Sequence, residues 1–421
     1  MKQQKKLLAV LSIAAAVLSC GKATDSRQVA SDWQAGVAKV AITPDRPVWL
    51  AGYGRDTKSI GVHDDVWARA LALNNGEKTV LIIATDLIGL FKNDVDDIRQ
   101  QIVPMGADFD HIPITATHNH SGPDVLGLWN ANSAQTGVDA GYLAEVKQKI
   151  VRVAQEALAR LQPARLFFSQ TEVQGISYNA RDRDIIDYRA VTLHVKSTGD
   201  STIATLVNFA CHPEVLTSKN KLITSDYAHY LYQKLEVELG GTAMLVNGAL
   251  GGMVTPLVSG NTFAEALRCG ETLASAVIQS LQTAQPVTDT QLTSRRRRLK
   301  LKVDNANFLK LYEMRIISRP FVDGMVETEV GVLQIGPALA GTIPGEALPK
   351  IGLAIKDAMR APYKMVIGLT NDELGYLIPS ADWQPQSYEE SMSLGREAGD
   401  AVRAAIIALL QEIEAAAAGS Q

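Results

Sequence analysis

The chain is 421 residues long, 46% hydrophobic and 20% charged, with a formal net charge of −4. That length suffices for one large domain or two small ones, and the acidic balance argues against nucleic acid as a partner. Three cysteines do not make a disulfide scaffold, though Cys211 and Cys269 leave room for one bridge.

Lys2, Lys5 and Lys6 precede an apolar run from Leu7 to Leu18, too short to span a bilayer comfortably and shaped like a secretory signal. The run closes on Val17-Leu18-Ser19-Cys20-Gly21, which resembles a bacterial lipoprotein processing site. Residues 1–19 are therefore expected to be a signal peptide, 20–33 a tether, and 34–421 the folded domain. Such a protein is exported to the periplasm or outer membrane and touches the membrane through a lipid on Cys20.

Val37 to Ile42 reads as a first strand closed by Thr43-Pro44. Ala68 to Leu73, the turn Asn75-Gly76 and Thr79 to Ala84 read as a hairpin, and Ile112 to Ala116 as a buried strand. Leu143, Val146, Ile150, Val153, Ala157 and Leu161 keep helical spacing, stopped before Pro163. A helix from Asp226 to Leu239 takes Ser225 as its N-cap and ends at Gly240-Gly241. Ala243 to Val246 is a buried strand, and helices follow at Phe263 to Leu281 and Ser391 to Ala416. The basic run from Arg295 to Val303 alternates with apolar residues in its later half, as a half-exposed strand does. Strand and helix alternate without a repeat or a clear linker. The expected fold is α/β, a single layered domain of mixed β-sheets flanked by helices.

The residues suited to chemistry sit where buried strands end. His118 and His120 follow Ile112 to Ala116, before the break at Gly122-Pro123. Two residues apart on extended backbone, they point to one side. They can share a metal, or one can bind metal while the other faces substrate. His212 follows Thr205 to Ala210, Asn247 follows Ala243 to Val246, Glu346 follows Ala338 to Ile343, and Tyr376 follows Met365 to Leu369. Open α/β sheets place ligand sites outside the carboxyl ends of strands. Two histidines, a carboxylate and a further donor make a reasonable zinc shell. Competing schemes lack their parts: there is no Gly-x-Ser-x-Gly elbow, no His-Glu-x-x-His helix, and no lysine in the glycine-rich stretch Gly248 to Gly252.

An ordered set of motifs resembles the neutral (alkaline, non-lysosomal) ceramidase family. It comprises Thr117-His118-Asn119-His120-Ser121-Gly122-Pro123, Asn208-Phe209-Ala210-Cys211-His212-Pro213, Ser225-Asp226-Tyr227, Pro344-Gly345-Glu346, and Gly375-Tyr376 with Tyr388-Glu389. The resemblance implies a zinc amidase that cuts the N-acyl bond of ceramide. It makes His118, His212, Glu346 and Tyr376 the zinc ligands. His120 and Tyr388 would face the substrate amide and its oxyanion, helped by an arginine of the stretch 179–183, with Arg183 favoured over Arg181. The family's Gly-Asp-x-Ser-Pro loop appears here as Gly252-Met253-Val254-Thr255-Pro256, so Thr255 stands where the family has serine. Amidase chemistry is thus better supported than ceramide as substrate. The alternatives are a zinc hydrolase of the same fold acting on another N-acyl compound or an ester, and a non-catalytic ligand-binding lipoprotein.

Overall fold

A computed structural model of the protein describes residues 33–419; the expected signal peptide, nearly all of the tether and Cys20 lie outside them. Two mixed sheets carry the architecture. The larger has eight strands in the order Thr242–Asn247, Thr202–Phe209, Arg189–Ser197, Gln162–Glu172, Gln34–Ala41, Trp67–Asn74, Thr79–Thr85 and Ile114–Ala116. The smaller has four, in the order Leu292–Lys302, Met325–Ile335, Ala338–Thr342 and Tyr363–Ile367. Most pairs are antiparallel, but Thr242–Asn247 with Thr202–Phe209, Thr79–Thr85 with Ile114–Ala116, and Ala338–Thr342 with Tyr363–Ile367 are parallel.

Side-chain alternation explains the layering. Leu71, Leu73, Val80 and Ile82 of the large sheet share one core with Leu333, Ile335, Met365 and Ile367 of the small sheet. The intervening residues, Ala68, Ala70, Ala72, Leu81 and Ile83, face helices Lys92–Ile102 and Ala140–Ala159. Further along the same sheet, Val207, Phe209 and Leu245 pack on helices Tyr227–Leu239 and Phe263–Leu281. The outer face of the small sheet is covered by Pro349–Ala358 and Ala398–Gly419. The layered α/β expectation therefore holds. No helix of the described residues is long and apolar enough to cross a membrane.

The large sheet curls until its edge strands Ile114–Ala116 and Thr242–Asn247 approach each other. Asn247 fastens that closure. Its amide nitrogen donates to the carbonyls of Thr117, at 2.6 Å, and Cys211, at 3.0 Å. Chain segments 94 residues apart in sequence are thereby held side by side at their carboxyl ends.

Two expectations are corrected, and the room left for a disulfide is not used. The N-cap of helix Tyr227–Leu239 is Asp226, not Ser225, whose hydroxyl turns instead to the Asp65 carbonyl and Asp86. The C-terminal helix, expected from Ser391, begins at Ala398 and runs to Gly419, after a separate short helix Tyr388–Ser391, because the Met392 carbonyl is taken by the Tyr376 amide and the Leu394 carbonyl by the amides of Asp304 and Asn305. Cys211 and Cys269 are both buried and both free. The basic run lies on an outer strand, as expected, and is internally paired: Arg296 with Asp110 and Glu329, Arg297 with Glu412.

A buried ion cluster joins the two sheets. Glu329, on Met325–Ile335, accepts from Arg99 at 2.6 Å, Arg296 at 3.1 Å and Asn371 at 3.0 Å. Arg99 also holds the Ile112 carbonyl, and the Asn371 side chain accepts from the Ile114 amide. The strand leading into His118 thus hangs on this cluster. Burial raises the Glu329 carboxyl, but Arg99 and Arg296 bring it below its ordinary value. Its stabilisation is therefore present above the unfolded pKa, about 4.3, and is lost as pH falls through the carboxylate range. We predict that Glu329→Gln lowers unfolding stability at pH 7 by about 3–5 kcal/mol, because the buried Arg99 loses the carboxylate at 2.6 Å and keeps only the more distant one of Asp96, at 4.0 Å. The gap to wild type should narrow as urea unfolding is repeated towards pH 3. A gap independent of pH would contradict this.

Candidate metal centre and adjoining cavity

Four buried side chains meet at the carboxyl ends of the parallel pairs. His118 follows Ile114–Ala116, His212 follows Thr202–Phe209, and Glu346 and Tyr376 are register partners in the short parallel pair Glu346–Ala347 and Tyr376–Leu377. His118 and His120 do not reach each other on extended backbone, as the sequence suggested. His118 adopts a left-handed conformation, with φ +64°. The buried Asn119 donates to the carbonyls of Asp86 and Thr224 and so anchors the turn. The rings still converge, with centroids 4.9 Å apart for His118 and His120 and 5.1 Å for His118 and His212.

Two backbone carbonyls settle the tautomers. His118 Nδ1 lies 2.6 Å from the Ile88 carbonyl, and His212 Nδ1 lies 2.9 Å from that of Val254. A carbonyl only accepts, so each Nδ1 carries a proton, and in the neutral ring each Nε2 presents a lone pair. Both Nε2 atoms face one oxygen, Glu346 Oε2, at 3.3 and 3.2 Å. Burial would raise the Glu346 carboxyl, but the charge of His118 and His212 in their protonated forms holds it well below the usual carboxylate range, a place that a bound cation would take. Three converging lone pairs in a dry interior need a cation among them. Donors of a tetrahedral nitrogen–oxygen metal site, with bonds of ~2.0–2.1 Å, stand roughly 3.3 Å apart, which matches the spacing found. The residues therefore fit a metal ion of zinc's type, with Nδ1-to-carbonyl bonds as the orienting contacts such ligands usually have.

His120 differs. Its ring could join His118 and His212 as a third donor, since ligand atoms of the three lie within 4.8 Å of one another. No carbonyl holds it, however, and neither ring nitrogen makes a hydrogen bond among the described residues. Glu214 Oε2 stands 3.3 Å from its Nδ1, and Tyr53 meets the ring edge-on. Burial and the neighbouring imidazoles hold His120 well below the ordinary histidine value, so it stays neutral. Gly52 fits against it with φ +100°, and a Cβ there would lie 2.3 Å from His120 Cγ. These features favour His118, His212 and Glu346 as ligands, with His120 facing what lies beside them.

What lies beside them is a cavity of about 720 Å³, mouth included, so narrow that the centre of a water molecule reaches about 80 Å³ of it. Its walls include Ile88, Phe91, Leu126, Trp129, Phe308, Phe321 and Leu394, and its polar end holds His118, His120, Glu346 and Tyr376. Tyr388, 58% exposed, stands at the rim with its ring 5.9 Å from that of Tyr376. Burial, then Glu346, pushes the Tyr376 phenol well above its ordinary pKa. Burial likewise raises the Glu373 carboxyl, which also lines the cavity, and Glu346 adds to the effect.

Two expected residues are not brought to the cavity. The Arg183 guanidinium stacks 4.2 Å over Tyr178, while Arg181 is held by Glu389 and Glu390 of the short helix carrying Tyr388. Thr255 sits half-buried on strand Val254–Pro256, paired with Tyr178 across Ser177–Asn179. The structure adds Gly52, Tyr53, Glu214 and Glu373, which sequence reasoning passed over. Glu214 alone gave a signal, two residues after His212 on the same exit loop.

The sequence matches the family described as neutral/alkaline non-lysosomal ceramidase, N-terminal, over residues 33–254. Among curated relatives, a neutral ceramidase of Mycobacterium tuberculosis is 26% identical over 47% of this chain and 34% of its own length. One of Pseudomonas aeruginosa is 27% identical over 52% and 37%. The aligned region thus spans little more than a third of either relative. The crystal structure of the neutral ceramidase from Pseudomonas aeruginosa superposes with a TM-score of 0.78 at 19% identity, covering 90% of this chain and 74% of that one. A ceramidase complexed with C2 superposes equally well, at 18% identity. Similarity at that level is a likeness of fold.

Zinc-loaded protein should carry one ion per chain by elemental analysis. His118→Ala, His212→Ala and Glu346→Ala should lose it, because too few donors remain, whereas His120→Ala should retain it. Loss of the ion in His120→Ala would make that imidazole a ligand instead.

Proposed function

This chain belongs to the neutral/alkaline non-lysosomal ceramidase family, and on that premise we propose that it hydrolyses the amide bond of an N-acyl lipid of the ceramide class, with zinc held by His118, His212, Glu346 and Tyr376. The carrying observation is the juxtaposition of a narrow apolar cavity with the imidazole–carboxylate cluster. A lipid chain lying along Phe91, Leu126 and Phe308 brings a polar amide to the end where His118, His120, Glu346 and Tyr376 gather. When bound, zinc lowers the pKa of water towards ~7 and polarises a carbonyl.

The chain's own residues supply the rest. The apolar walls bind the alkyl part and exclude bulk water, which strengthens every polar contact at the scissile bond. With Nδ1 facing the Glu214 carboxylate, His120 presents Nε2 as the proton acceptor. Nε2 takes a proton from the attacking water as its oxygen bonds the carbonyl carbon, then returns it to the amide nitrogen as the carbon–nitrogen bond breaks. The products are a fatty acid and an amine. The Tyr388 phenol, at the rim, donates to the oxyanion that forms between these steps, a contribution of roughly 3–4 kcal/mol for a well-placed donor. Thr255 takes no part in the bond changes, in keeping with its place outside the cavity lining.

The test is hydrolysis of matched long-chain amides and esters by the zinc-loaded protein. Amide turnover should rise with acyl length. His120→Ala and Gly52→Ala, the latter by displacing the ring, should each lose roughly 10²-fold in turnover while keeping their zinc. Absence of amide cleavage by wild type, or full activity in His120→Ala, would refute the reading.

A further inference from the structure

The Tyr376 hydroxyl has a sulfur for a neighbour. It donates to Met253 Sδ at 3.2 Å, and a thioether is a weak acceptor. In the loop Gly252 to Pro256, this methionine occupies the position where the family motif carries an acid. Its place is fixed: the backbone is left-handed, with φ +54°, and its carbonyl accepts from the Ala180 amide at 3.0 Å. The side chain packs against Leu348, Tyr376 and Ile378 but is only partly buried. Met244, Met359 and Met365, by contrast, are shut inside the cores, with at most 2% of their surface exposed. Met253 thus combines access from outside with a bond to a residue of the metal centre.

We propose that Met253 is a modification site, oxidised to the sulfoxide by hydrogen peroxide, and that the sulfoxide draws the Tyr376 phenol away from the metal centre. The inference rests on the reading of Tyr376 as a zinc ligand. With the phenol turned to the metal, a sulfur lone pair is free to react. It attacks one peroxide oxygen and the oxygen–oxygen bond breaks. The sulfur gives up an electron pair and keeps that oxygen, while the other oxygen leaves with both protons as water. The change replaces a weak acceptor by a strong one among apolar side chains, where a polar oxygen without a partner is costly. Tyr376 Oη is the donor already in contact with that sulfur. A phenol bonded to the sulfoxide is not presented to a cation held by His118, His212 and Glu346. Reduction of the sulfoxide restores the thioether and releases the phenol.

The test treats the zinc-loaded protein with hydrogen peroxide and locates the added oxygen by peptide mass analysis. Zinc affinity is read by competition with a chromogenic chelator, without substrate. Wild type, Met253→Leu and Tyr376→Phe are each compared with their own untreated sample, and melting curves establish that all are folded. Treated wild type should carry oxygen on Met253 and bind zinc roughly 10- to 100-fold more weakly, the usual cost of disturbing a metal's supporting contacts. Methionine sulfoxide reductases for both epimers, with dithiothreitol as reductant, should restore the affinity. Met253→Leu should keep its untreated affinity. Tyr376→Phe should bind zinc more weakly before treatment and change little on it. A Met253 that takes up no oxygen, or a Met253→Leu protein that loses affinity as wild type does, overturns the proposal. So does an oxidised wild type of unchanged affinity, and if Tyr376→Phe is weakened, the ligand reading still stands. A Tyr376→Phe protein that holds zinc as tightly as wild type overturns both.

Discussion

Two buried imidazole nitrogens aimed at one carboxylate oxygen, at 3.3 and 3.2 Å, form the contact on which the rest of this structure depends. Neither histidine can turn away, because the Ile88 and Val254 carbonyls hold the opposite ring nitrogens. Glu346 cannot retreat either, since its amide is bonded to the Gly375 carbonyl and its strand is paired with Tyr376. The arrangement is costly without a cation and favourable with one. Folding therefore brings together donors suited to a metal ion, and much of the architecture serves to keep these donors close.

The curl of the large sheet is the main device. His118 and His212 leave strands near opposite edges of that sheet, and a flat sheet would hold them far apart. Closure brings the edges together, and Asn247 secures the join by bonding the residue before each histidine. The small sheet contributes Glu346 and Tyr376 from the ends of its parallel pair, and the Glu329 cluster ties that sheet to the strand entering His118. Chemistry and cavity then share a wall. The same segment, 371–376, supplies a structural amide at Asn371, the Asp372 anchor for Arg319, a cavity-lining carboxyl at Glu373 and the phenol of Tyr376.

Much of this was legible in the sequence because it follows from local pattern. Alternating apolar runs with turn residues between them located the hairpin around Asn75-Gly76, and helical spacing located Ala140–Ala159 and Phe263–Leu281. The rule that sites gather at strand exits brought out His118, His120, His212, Asn247, Glu346 and Tyr376, and the family resemblance singled out His118, His212, Glu346 and Tyr376 among them as metal ligands. Long-range geometry was not legible. Nothing in Thr242–Asn247 announces that it lies against Ile114–Ala116, so Asn247 read as one more polar residue after a strand. Strands Gln162–Glu172 and Arg189–Ser197 mix charged and apolar residues and gave no clean period. The left-handed turn at His118 was hidden because a histidine carries no mark of positive φ. Arg183 and Arg181 could not be told apart by register, and the packing of Arg181 against Glu389 and Glu390 became visible only in three dimensions.

The central claim is that His118, His212 and Glu346 together hold one metal ion, with His120 left free to act. X-ray absorption at the zinc edge of the loaded wild-type protein tests it most directly, because outer-shell scattering counts imidazoles. The account predicts one zinc per chain in a shell of nitrogen and oxygen, with two imidazoles and no sulfur. A spectrum requiring three imidazoles, or a chain that retains no stoichiometric zinc, would contradict it.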